Sequence, residues 1–72
     1  MIERVVESVR DKLMQMFRDN PDIYKGKSLP SDNQIRQFIL NKHDNPDNSF
    51  TYVMKTTESL AQKINKGEQL ND

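Results

Sequence analysis

Apolar residues come in three bursts along this chain, and each burst keeps helical spacing. In the first, Ile2, Val5, Val6, Val9, Leu13, Met16 and Phe17 follow intervals of 3, 1, 3, 4, 3 and 1. On a helix those positions form one amphipathic stripe. Glu3 and Glu7 near its start and Arg18 near its end suit the helix dipole. The valines are mediocre helix formers, so packing has to hold the segment. Pro21 ends it, because the residue before a proline is pushed out of the α region. The spacing therefore predicts a helix over 2–19.

The second burst is Ile35, Phe38 and Ile39. Ser31-Asp32-Asn33-Gln34 precedes it with a hydroxyl at the N-cap and a glutamine three places on, the capping-box arrangement. A helix over about 32–43 is predicted, only three turns and too short to stand alone. Between the two helices, Pro21 to Pro30 reads as an ordered loop. Its Ile23, Tyr24 and Leu29 are expected to tuck back on the core, with Lys25 and Lys27 in solvent. DNPD occurs at 19–22 and again at 44–47. Asparagine before proline, flanked by aspartates, is good turn chemistry, and its double use does not require a repeat.

The third burst, within Ser49–Lys66, admits two periods. At 3.6 residues per turn, Phe50, Val53, Met54, Ala61 and Ile64 share a face, Thr57 fills its gap and Leu60 lies at its edge. At period two, 50–55 is a short strand, which gives an α+β alternative. No other segment alternates, so such a strand would have no partner for its backbone. The expectation is a helix over 49–66, closed by Gly67 with Lys63 and Lys66 in its last turn. The chain then reads as an all-α, three-helix domain over 1–67 with a flexible polar tail over 68–72.

Composition sharpens this. In 72 residues, 33% are hydrophobic and 31% charged, with no tryptophan and no cysteine. A core of that kind supplies only about 3–5 kcal/mol. Disulfides and thiolate metal sites are excluded. Eleven basic and eleven acidic residues cancel, which disfavours a dedicated nucleic-acid binder without excluding a local basic face. The longest apolar run is three residues, so no transmembrane helix is expected. The start, MIERVVESVR, lacks the apolar segment of a signal peptide. An intracellular, cytoplasmic protein is the expectation.

Catalysis has little to work with. His43 is the sole histidine, and it sits at a helix C-terminus where it has a structural use. No nucleophile, base and orienting group can be assembled around it. His43, Asp44 and Asp47 fail the calcium-loop pattern, with Pro46 and Ser49 at its third and sixth places. Neither enzyme activity, metal, cofactor nor small-molecule substrate is expected.

Binding is the remaining class. With Phe50 inward, the opposite side of the third helix carries Tyr52, Lys55, Thr56, Ser59, Lys63 and Lys66, with no acid among them. Such a face could meet phosphates as the reading helix of a helix-turn-helix-like DNA binder. The break at 44–49 is longer than those units use, and it carries two aspartates. Met14 and Leu40 lie off their stripes and suggest apolar surface for a partner. Ile2, Val6, Val9, Leu13 and Met16 keep a 4-3-4-3 spacing for barely two heptads, too short to specify a dimer seam. The leading expectation is a small non-enzymatic interaction module, an adaptor, regulator or inhibitor that binds a larger protein or itself. DNA binding through 49–66 is the alternative.

Overall fold

The computed structural model describes residues 2–70. Three helices follow in order: α1 (Ile2–Asp19), α2 (Asp32–Asn41) and α3 (Phe50–Asn65). The 50–55 segment is helical throughout. The all-α, three-helix expectation holds, with α2 ending two residues before the expected bound.

Each boundary has a local cause. The Ser31 hydroxyl accepts from the Gln34 amide at 3.1 Å, and Gln34 Oε1 accepts from the Ser31 amide at 2.9 Å, which completes the capping box. α2 stops because His43 takes the left-handed conformation, with φ 57°. Ser49 caps α3 by accepting from the Tyr52 amide at 3.2 Å. Its own amide donates to Asp47 Oδ1 at 2.8 Å. At the other end Gly67 has φ 75°. There the Glu68 amide donates to the Lys63 carbonyl (3.0 Å) and the Gly67 amide to the Ile64 carbonyl (3.1 Å). That pair of bonds is the Schellman motif.

α1 is the hub. Both α2 and α3 pack on it, and the backbones of α2 and α3 scarcely approach each other. Arg10 pairs with Asp32 at 2.9 Å and Glu3 with Arg36, so α2 runs antiparallel to α1. Ser8 donates to Asn48 Oδ1 at 2.7 Å, and Lys12 lies beside Phe50, so α3 runs parallel to α1. The core gathers Val5, Val6, Val9 and Leu13 with Ile35 and Ile39, then Val53, Leu60, Ala61 and Ile64. The 4-3-4-3 positions of α1 thus serve the intramolecular core.

The loop corrects one expectation. Tyr24 is buried and stacks on Phe17 with ring centroids 4.3 Å apart. Ile23 and Leu29 stay exposed. Once the Tyr24 ring has taken the place over Phe17, its neighbour in the same tight turn faces away.

A second correction concerns the phase of α3. Thr57 is completely buried as expected, but Thr56, expected on the opposite side, is completely buried too, Leu60 lies well within the stripe, and Phe50 is 75% exposed. At 100° per residue the true stripe is rotated by about 40° from the expected one. The threonine methyls pack as apolar groups, and both hydroxyls are satisfied. Thr57 donates to the Val53 carbonyl at 2.7 Å, and Thr56 accepts from Lys42 Nζ at 3.1 Å.

Candidate functional site

The rotation of α3 dismantles the expected lysine face. Thr56 is 0% exposed and unavailable to any partner. Tyr52 is half-buried and donates to Asp44 Oδ1 at 3.0 Å. Burial, and then this bond to a carboxylate, push its phenol above the ordinary value. The Lys42 ammonium lies 4.8 Å from the Tyr52 ring centroid and 3.7 Å from Asp44 Oδ2. Tyr52 and Thr56 are therefore parts of a polar knot that ties α2 to α3. Lys63 is also engaged, 3.6 Å from Glu68 and 5.8 Å from the centre of the Phe38 ring. Lys55, Ser59 and Lys66 remain in solvent, on a face that also presents the exposed Glu58, Gln62 and Asn65.

Met14 and Leu40 are exposed as expected, at 41% and 50%, but they do not share a patch. Met14 lies one turn beyond Arg10 and Leu40 one turn beyond Arg36. The ion pairs of those two arginines, seven residues apart along α1, stand between them. At 1.5 Å per residue the pairs alone separate the two by about 10 Å.

Among the described residues the most exposed large apolar side chain is Phe50, which was expected in the core. It lies about 50° from the centre of the true stripe, at its rim, in the first turn of α3. The Ser8–Asn48 bond fixes that turn against α1. Lys12 Nζ sits 5.9 Å from the ring centroid. Ser8, Lys12, Asn48, Val53 and Met54 join Phe50 around a cleft of about 320 Å³. The signal for this site was the aromatic at the first helical position, directly after the cap.

A second concavity runs between α2 and α3. One part, about 240 Å³, is lined by Gln34, Phe38, Asn41, Lys42, Lys63, Gln69 and Leu70. The next, also about 240 Å³, meets Leu29, Pro30, Ile64 and Glu68, again with Gln34 and Leu70. Leu70, expected in a flexible tail, is half-buried and packs on the core. Asn71 and Asp72 of that expected tail lie outside the described residues.

The turn carboxylates have local work. Asp44 serves Tyr52 and Lys42. Asp47 is held below the usual carboxylate range by hydrogen bonds from the Ser49 side chain and amide. Among the described residues no three His, Asp or Glu side chains are grouped to hold a metal ion, and no helix is long and apolar enough to cross a membrane. No protein-family model matches the sequence, and neither a curated protein nor a solved structure resembles it at a significant level.

Proposed function

We propose that this chain is a non-catalytic interaction module that binds a larger protein through the Phe50 cleft. One observation carries the reading: a phenyl ring, 75% exposed, lines a cleft beside Val53 and Met54 at a capped helix end. An aromatic side chain buries 150–250 Å² when covered, worth about 25 cal/mol per Å². A domain with so small a core leaves that stabilisation unused until a partner covers the ring. Aromatic anchors seated in clefts are also where interfaces concentrate their binding energy. Against the DNA alternative, Tyr52 and Thr56 are engaged in intramolecular hydrogen bonds, and Glu58 is exposed among the lysines of the helix.

A photo-reactive phenylalanine at position 50, in the chain expressed in its host, tests the reading. A discrete protein adduct is expected from position 50 and not from the exposed Thr51 control. The same protein should fail to co-purify with Phe50→Asp. An adduct with a second copy of the chain would identify self-association as the mode. If Phe50→Asp retains every co-purifying partner, or if binding is lost on nuclease treatment, the proposal is wrong.

A further inference from the structure

We propose that the groove between α2 and α3 docks an extended peptide carrying an acidic residue two places before a leucine, and that the chain's own Glu68-Gln69-Leu70 fills it until a partner's segment displaces it.

The geometry begins with a gap. α2 and α3 lean on α1, and their backbones scarcely approach each other. What crosses between them is long side chains: Lys42 reaching Thr56, and Lys63 reaching over Phe38. The tail enters this gap by a defined route. Gly67, at φ 75°, turns the chain back through the Schellman bonds. A hydrophobic contact usually completes that motif between the residue after the glycine and the third from the helix end. Here those two positions are Glu68 and Lys63, and an ion pair of 3.6 Å replaces the contact. Leu70 then packs on the core and stands as the shared wall of both concavities, together with Gln34. Among the described residues of the tail, Leu70 is the one side chain that borders both concavities.

The chemistry of the occupant follows from the lining. Phe38 and Ile64 offer apolar surface, and Lys63, the partner of Glu68, places positive charge at the rim. A leucine with an upstream carboxylate satisfies both, and the tail is one such segment. Only one apolar anchor holds it, so displacement by a partner segment with a second anchor needs no unfolding of the helices. The groove shares no residue with the Phe50 cleft, so it stands or falls independently of the proposed function.

The test uses the full chain and a synthetic peptide of residues 66–72, Lys-Gly-Glu-Gln-Leu-Asn-Asp, followed by amide NMR. Leu70→Ser should shift the signals of Gln34, Phe38 and Asn41. The peptide should return them toward wild type, saturating in the millimolar range, whereas its leucine-to-serine version should not. In the wild-type chain the tail competes at an effective concentration that is itself millimolar, so several-fold more peptide is needed. Glu68→Lys, at an exposed position, should lower the peptide concentration required by about two- to fivefold relative to wild type. This variant carries the test if Leu70→Ser disturbs the helices. Phe50→Asp should leave the titration unchanged. Groove signals that ignore Leu70→Ser in a folded chain, or that ignore the peptide in both variants, would overturn the proposal.

Discussion

Lys42 reaches from the end of α2 to donate a 3.1 Å hydrogen bond to the hydroxyl of Thr56, a residue with no exposure to solvent. The two residues are not equivalent in what their loss costs. Lys42→Met leaves a buried hydroxyl without this partner, which costs about 1–3 kcal/mol. Replacing both polar groups by apolar ones of similar shape is nearly neutral. The double variant Lys42→Met/Thr56→Val should therefore be more stable than Lys42→Met alone, as read by urea unfolding. A double variant no better than the single would refute this account of the knot.

The neighbouring residues Leu13 and Met14 should behave as opposites. Leu13 is fully buried and Met14 is not. Leu13→Ala should cost about 2–5 kcal/mol, comparable to the whole stability of a domain this small, and should unfold much of the population. Met14→Asp and Leu40→Asp should stay folded, each within about 1 kcal/mol of wild type. Phe50→Asp places a carboxylate in the first turn of α3, beside Lys12, and should be neutral or stabilising by about 0.5 kcal/mol. Circular dichroism during thermal melting distinguishes these outcomes.

The Glu3–Arg36 pair sets an acid limb. Arg36 donates through Nε at 2.7 Å and through a terminal nitrogen at 2.6 Å to the two carboxylate oxygens. These bonds, chiefly, hold Glu3 below its ordinary value of 4.5. A carboxyl whose value is depressed in the folded state contributes stability that is complete above the unfolded value. That contribution disappears as the pH falls below 4.5 through the lower folded value. Glu3→Gln should therefore flatten the dependence of the melting temperature on pH below 4.5 and leave it unchanged near neutrality. An identical acid slope in the variant would remove the pair from the explanation.

Two left-handed residues, His43 and Gly67, end α2 and α3. A Cβ at Gly67 would meet nothing within 4 Å, so Gly67→Ala isolates the backbone cost, about 1–2 kcal/mol. His43 already bears that cost. His43→Gly should stabilise the chain by about 0.5 kcal/mol, after the greater freedom of glycine in the unfolded chain offsets part of the gain. Chemical denaturation of the two variants should move in opposite directions.

Helix positions were legible because their determinants are local: the stripe of α1, the Ser31–Gln34 box, the prolines at 21 and 46, and Gly67. The orientation of α3 was not, because Thr56 and Phe50 exchanged their customary roles. Thr56 entered the core beside the expected Thr57, its hydroxyl satisfied by Lys42. Phe50 stayed out at the helix end. Neither exchange is written in spacing, since each depends on a partner distant in the chain or on where the helix begins. The place of Leu70 was illegible for the same reason. An isolated leucine in a polar tail carries no periodicity, and only the Schellman turn and the Lys63–Glu68 pair direct it inward.

The central position of α1 also sets the order in which the molecule comes apart. α2 has 10 residues, buries only Ile35 and Ile39, and is moored by two surface ion pairs. α3 buries six residues along 16. Local opening follows the number of buried contacts a segment would give up. In native-state hydrogen exchange, the amides of α2 should open as one unit at lower free energy than those of α1 and α3. The pair that remains is a parallel two-helix unit. Its members are joined by a 30-residue excursion of chain between Asp19 and Phe50, and closing that excursion entropically is what α2 spares the folding chain.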